Sequence, residues 1–223
     1  MIFFPGSNHR KGYHLTETAN WIGYFRVMDN HRHEVAAFVL AGGQSTRMGR
    51  DKALVEFQGI TLLERAIRSC KVVSSDVWII GKSEKYRQFG QTLEDIYLDC
   101  GPLGGIHAAL VNSTANCNLV LAVDMPFLSP EFLTFLIKQA QASEAVATVP
   151  EADDRLQPLC AVYKRQFLEV AERALVSGKN KITPLFAEVK TQVIGHHDLE
   201  SAGFSSSIFK NWNTPDDLKI EMP

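Results

Sequence analysis

Apolar residues along this chain fall into short continuous runs separated by stretches of helical period. Residues 35–40, 77–80 and 119–123 are unbroken and rich in branched side chains, the pattern of strands covered on both faces. Between the first two, Leu62, Leu63, Ala66, Ile67 and Cys70 recur at helical spacing. They follow Thr61-Leu-Leu-Glu64, which has the Thr-x-x-Glu order of a capping box. Residues 53–57 predict a short strand, Gln58-Gly59 a turn, 83–89 a short helix and 93–98 a third strand or its edge. Gly101-Pro-Leu-Gly-Gly105 reads as a glycine-rich loop before a helix from Ile106 to about Val111. Ser129-Pro130-Glu131 predicts the cap of a helix running to about Gln141. Farther on, strands are expected at 145–149, 159–163 and 191–194, and helices at 166–175 and 183–189. A last helix is expected to open at Thr214-Pro215. This alternation predicts an α/β fold: a mostly parallel sheet with flanking helices and its ligand at the carboxyl ends of the strands.

Composition narrows the picture. A chain of 223 residues that is 45% hydrophobic can bury one good-sized core, so a single domain is expected over 34–223. Residues 1–33 show no clean period and are expected to form a disordered extension, with Met28 a candidate start. Their histidines, His9, His14, His31 and His33, are irregularly spaced and lack cysteine partners, which argues against a metal site. A formal net charge of −2 argues against a general nucleic-acid binder. Cys70, Cys100, Cys117 and Cys160 form no Cys-x-x-Cys pair, which suits neither a disulfide framework nor zinc and points to a reducing, cytoplasmic setting. No apolar run approaches the ~20 residues that span a bilayer, so no membrane partner is expected.

The candidate chemistry starts where the first strand breaks at Ala41-Gly42-Gly43, followed by Arg47, Arg50 and Lys52. Glycines followed by cations can cradle a polyphosphate, N–H groups facing its oxygens and the cations offsetting its charge. The plainer alternative is a βα turn with a solvated basic face. The spacing is neither that of the Walker A loop nor that of the dinucleotide fingerprint. Asp124 stands where the 119–123 strand ends. It reads equally well as a turn cap or as a Mg²⁺ ligand, and the cationic loop on a neighbouring strand favours the metal. Asp95 and Asp99 can be ordinary turn residues, Lys52 a surface lysine and Asp51 its solvated neighbour. Asn211 and Asn213 can close a turn, and Gln157-Pro158, Lys179 and Lys181 are equally open. His107, His196 and His197 read as structural or exposed. Transfer of a nucleotidyl group to a phosphate acceptor needs no general base, because the nucleophile is already an anion. Such a reaction needs positioning and charge stabilisation, which glycines, cations and a metal-binding Asp can supply.

From Leu40 to Lys52 the chain reads L-A-G-G-x-x-x-R-M-G-x-D-K, which resembles the signature loop of nucleotidyltransferases, and among them the molybdenum cofactor guanylyltransferases. GPLGGI from Gly101, VDMPFL from Val123, QPLCAVY from Gln157 and NWNTPDDL from Asn211 follow in the same order. The resemblance implies a Rossmann-like fold of the nucleotide-diphospho-sugar transferase type. It also implies transfer of GMP from GTP to the phosphate of Mo-molybdopterin, with Mg²⁺ and release of pyrophosphate. On the same ground Leu40, Ala41, Gly42, Gly43, Lys52, Asp95 and Asp124 would bind GTP, and Asp124 would also hold Mg²⁺. Arg47, Gly49, Lys181, Asn211 and Asn213 would face molybdopterin, and Arg47, Lys52 and Asp124 would carry catalysis. Molybdoenzyme chaperones or other cofactor-biosynthesis proteins are the implied partners. The chain departs from the pattern at Ile80, where the family can carry Asn. A cytidylyltransferase acting on the same pterin, a sugar- or polyol-phosphate nucleotidyltransferase and a non-catalytic carrier are the rival readings. Gly42-Gly43 and GPLGG favour guanine over cytosine, QPL and NxNTPxD count against the sugar enzymes, and Lys52 with Asp124 counts against loss of catalysis.

Overall fold

The computed structural model describes residues 34–42 and 51–212. The expected extension over 1–33, the site candidates Gly43, Arg47, Gly49 and Asn213, and the expected last helix lie outside the described residues. In chain order the elements are β1 (Val35–Leu40), β2 (Glu56–Phe57), β3 (Ile60–Thr61), α1 (Leu62–Val73), β4 (Asp76–Ile80), α2 (Ser83–Tyr86) and β5 (Gln91–Leu93). Next come α3 (Pro102–Asn112), β6 (Cys117–Ala122), α4 (Pro130–Ala142), β7 (Ala147–Ala152), β8 (Arg155–Leu156) and β9 (Cys160–Tyr163). The series closes with α5 (Phe167–Val176), β10 (Thr191–Ile194) and α6 (His196–Ser201).

Among the described residues, one eight-stranded sheet has the order β10-β7-β9-β6-β1-β4-β5, with β8 paired to β7. β9 runs antiparallel to both of its neighbours, while the β10–β7, β6–β1, β1–β4 and β4–β5 pairs are parallel. Alternate residues of a strand face opposite ways, and both faces are covered here. Ala37 and Val39 of β1 pack in one core with Leu63 and Ile67 of α1 and Phe132 and Leu136 of α4. Ala36, Phe38 and Leu40 pack in the other with Leu103 and Ile106 of α3 and Phe167 and Val170 of α5. A central strand with two dry faces explains why β1 is continuously apolar rather than alternating. The expected mostly parallel sheet with flanking helices is the fold observed.

Local readings fared unevenly. The capping box forms in full, with Thr61 Oγ1 accepting from Glu64 N at 3.1 Å and Glu64 Oε2 accepting from Thr61 N at 3.0 Å. Ser129 caps α4 as expected. The strand expected at 53–57 is instead a 3-10 turn, Lys52–Leu54, followed by the two residues of β2. Asp51 causes the difference, because its side chain accepts from Ala53 N at 3.2 Å and so caps the turn. The strand expected at 93–98 ends at Leu93. The helix expected over 183–189 is a 3-10 segment, Thr183–Glu188, and α6 had no counterpart in the expectations.

The largest correction concerns Gly101 to Gly105, which is the first turn of α3 and not a loop. Pro102 sits at the helix start behind Gly101, whose φ of 62° and ψ of −155° suit glycine alone. Gly104 and Gly105 then let the helix press against the strand ends. A Cβ on Gly105 would lie 2.9 Å from Leu40 Cδ2 and 3.2 Å from Ile80 Cγ2. Gly105→Ala is therefore expected to destabilise the fold by about 1–3 kcal/mol, as measured by urea unfolding followed by circular dichroism. A midpoint equal to wild type would mean that α3 does not need this close approach.

Chain direction sets the place for a ligand. From β1 the chain moves outward to β4 and β5, then returns to place β6 on the other side of β1. The strand order thus reverses between β1 and β6, and ligands of open α/β sheets bind outside the carboxyl ends at such a reversal.

Candidate active site

Just beyond β1 and β6, Lys52 Nζ lies 3.2 Å from Asp124 Oδ2, and both side chains are largely buried. Two backbone bonds fix Asp124. Val123 N donates to Leu40 O at 3.3 Å, extending the β6–β1 pairing, and Trp212 N donates to the Asp124 carbonyl at 2.8 Å. Asp124 Oδ1 is buried and has no hydrogen-bond partner among the described residues. A buried carboxylate oxygen left unpaired is costly unless something else takes it up.

Ala41 and Gly42 were expected to offer their N–H groups to phosphate. Both donate instead to the Ile80 carbonyl, at 3.0 and 3.1 Å. These bonds continue the β1–β4 pairing one step past the strands. Leu40 is buried and packs with Ile80 and Leu103. Ile80 serves the core and meets the first turn of α3. Gly42 is exposed.

Asp95 follows β5 on the same edge of the sheet. Cβ atoms built on Gly104 and Gly105 would lie 3.6 Å from its Oδ2 and Oδ1, so its carboxyl group rests over the first turn of α3. Burial, assisted by nearby Glu94, pushes its pKa up to about 6. Asp95 Oδ1 is also buried without a partner among the described residues. Asp99 adopts a left-handed φ of 57°, as a turn residue does.

The acceptor-side candidates are more scattered. Asn211 is exposed and directly precedes Trp212, which ties it to the carboxyl end of β6. Arg165 donates to Ser113 O at 2.6 Å and anchors the start of α5 beside the amino end of β6. Lys181 is exposed and lies beyond the far end of that helix. His107 is buried, with neither ring nitrogen hydrogen-bonded among the described residues, lies edge-on to Tyr97 at 4.9 Å, and burial lowers its pKa. His196 pairs with Glu200 at 3.2 Å on the exposed face of α6. No cluster of three or more metal-binding side chains occurs among the described residues. Cys70, Cys100, Cys117 and Cys160 are all free thiols, and no described helix is long and apolar enough to cross a membrane.

Sequence reasoning missed three residues here. Asp51, expected to be solvated, is half-buried and bonded to Tyr86 and Lys85 as well as to Ala53. Tyr86 and Trp212 had no assigned part at all. A lone aromatic in a short polar segment gives no local sign that it will meet a loop 35 residues away.

Residues 37–194 match the MobA-like NTP transferase domain. The chain belongs to that family. It is a nucleotidyltransferase, and the match covers the sheet from β1 through β10. A probable molybdenum cofactor guanylyltransferase of Clostridium perfringens is 33% identical over 188 residues, 82% of this chain and 94% of the relative. A protein of the same description from Pelotomaculum thermopropionicum is 33% identical over 187 residues, 83% of this chain and 90% of its own. The crystal structure of molybdopterin-guanine dinucleotide biosynthesis protein A from Archaeoglobus fulgidus superposes with a TM-score of 0.71 at 29% identity, covering 82% of this chain and 95% of the other. A 2-C-methyl-D-erythritol 4-phosphate cytidylyltransferase from Thermus thermophilus reaches a TM-score of 0.61 at 18% identity, over 83% of this chain and 96% of that one, and shares the fold alone.

Proposed function

We propose that this nucleotidyltransferase moves GMP from GTP to the terminal phosphate of Mo-molybdopterin, releasing pyrophosphate. The observation that carries the reading is a pair of buried carboxylate oxygens, Asp124 Oδ1 and Asp95 Oδ1, without hydrogen-bond partners among the described residues and on one edge of the sheet. The descriptions of the relatives agree with it.

Asp124 Oδ1 is the kind of hard, unshared oxygen that suits Mg²⁺. With no group of three or more metal-binding side chains among the described residues, Asp124 would hold the ion together with substrate phosphates and water. Bound there, Mg²⁺ would offset charge on the phosphoryl oxygens. Lys52 directs a fixed ammonium at the same place and stabilises charge as it moves onto the departing pyrophosphate. The acceptor phosphate oxygen attacks the α-phosphorus, and the bond from the α-phosphorus to the bridging oxygen breaks as pyrophosphate leaves. No side chain has to remove a proton from the acceptor, which accords with a crevice where His107 is buried in the fold and not poised for acid–base work.

Asp95 suits the base. Guanine presents an N1–H and an exocyclic amino group side by side, and a carboxylate can accept from both. Cytosine has only its amino donor on that edge, so it satisfies the carboxylate less well. On this ground, and because the relatives are guanylyltransferases, Arg47, Gly49, Lys181, Asn211 and Asn213 are left to bind the pterin phosphate. The implied chaperone and biosynthetic partners would be met after transfer, in the cytoplasm.

Incubation with molybdopterin and each of the four nucleoside triphosphates, followed by pyrophosphate release, tests this reading. GTP is expected to exceed CTP, ATP and UTP by ~10-fold or more, the worth of one charge-assisted hydrogen bond. Equal or better turnover with CTP would move the protein to the cytidylyl branch. No pyrophosphate release with molybdopterin and any of the four would remove the pterin from the account.

A further inference from the structure

Tyr86, on the short α2, is buried and reaches across to the other side of the crevice base. Its hydroxyl lies 2.8 Å from Asp51 Oδ2 and 3.1 Å from the Ala41 carbonyl. Those two residues are ten positions apart, one just after β1 and the other just before Lys52. One hydroxyl proton therefore lies between two acceptors, with the charged carboxylate holding the shorter bond. Burial and the Asp51 carboxylate both raise the pKa of Tyr86, so the hydroxyl remains a donor.

The surroundings are shaped to hold the ring there. A Cβ on Gly81 would lie 2.7 Å from Tyr86 Cε2, so only glycine at 81 lets the ring sit this close to the β4 end. Asp51 also receives Lys85 Nζ at 3.2 Å, and its other oxygen caps the turn that carries Lys52. The Lys85 pair is half-exposed and adds little on its own. The buried hydroxyl is the bond that ties the strand end to the lysine turn.

We propose that Tyr86 is a positioning residue for this site. By clasping Ala41 and Asp51 it fixes the Lys52 turn at the distance that sets Lys52 against Asp124. The inference rests on reading Lys52 and Asp124 as the phosphate end of the crevice. The Tyr86 hydroxyl bonds to Ala41 and Asp51 and acts on Lys52 through Asp51.

Tyr86→Phe keeps the ring against Gly81 and removes the clasp. It is expected to lower kcat by ~10-fold, following the loss of a hydrogen bond to a charged group, with the KM for nucleotide changed less than about twofold by the same reasoning. Magnesium pyrophosphate, titrated into the enzyme by calorimetry, should bind correspondingly more weakly to the variant. Asp51→Asn is the second arm. If the two side chains act as one clasp, the double variant loses less activity than the product of the two single losses. Losses that multiply would overturn the proposal, and so would unchanged kcat and pyrophosphate affinity in Tyr86→Phe beside a lowered melting temperature. Failure of the wild-type enzyme to bind magnesium pyrophosphate would overturn the phosphate site itself, and the clasp with it.

Discussion

Asp124→Asn is expected to lower turnover by ~10²–10³-fold, the usual cost of losing one well-placed electrostatic contact in a transition state. Asparagine keeps the size of the side chain and can keep one oxygen near Lys52 Nζ, so the fold around β6 and Trp212 should survive. The negative charge is lost, and with it the preference of the buried Oδ1 for a hard cation. The signature of that cause is a dependence on Mg²⁺. Raising the metal concentration should recover part of the lost rate, while the wild type is already saturated. Turnover should be titrated against Mg²⁺ for both proteins, with melting curves as a control. Wild-type turnover of the variant at low Mg²⁺ would remove Asp124 from the metal site.

Asp95→Asn is expected to have opposite effects on stability and on binding. The carboxyl pKa is raised to about 6 chiefly by burial, so ionising it opposes folding. Its stabilising, protonated form is fully present below the unfolded-state pKa. That contribution is lost as pH rises through about 6. The neutral amide escapes this cost and should raise stability above that pH by on the order of 1–2 kcal/mol, allowing for the partial exposure of the group. Guanine affinity should fall at the same time by ~10–100-fold, since the amide cannot accept from both donors of the base. In the wild type, the KM for GTP should rise as pH falls through about 6, where the acceptor becomes protonated. In Asp95→Asn that rise should be absent. Urea unfolding and GTP titration across the same pH range read both effects. A less stable variant, or one with unchanged GTP affinity, would contradict the role given to Asp95.

The sequence revealed the architecture because β1 and β6 carry their own evidence. Strands covered on both faces must be continuously apolar, and 35–40 and 119–123 were legible as such with only small errors of boundary. The place of Asp124 just beyond the carboxyl end of β6 was legible for the same reason. Gly101 to Gly105 was misread because glycine argues for a loop wherever it stands. Only the contacts with Leu40, Ile80 and Asp95 explain why a helix starts on such residues. The bonds made by the amides of Ala41 and Gly42 were not legible for a related reason: their acceptor, the Ile80 carbonyl, lies on a strand far away in sequence. Tyr86, Asp51 and Trp212 were invisible because their parts come from tertiary hydrogen bonds and not from any local pattern. The readings on Gly43, Arg47, Gly49 and Asn213 lie outside the described residues and stand as proposals.

The most direct test of the account follows the phosphorus atoms of GTP. The enzyme is supplied with Mg²⁺, molybdopterin and GTP labelled in one sample at the α-phosphorus and in another at the γ-phosphorus. The account predicts that the α-label appears in a pterin dinucleotide and the γ-label in pyrophosphate, in equal amounts and only when the acceptor is present. A γ-label found in inorganic phosphate or on the pterin, with the α-label left in GDP, would mean a different bond is broken and would contradict guanylyl transfer.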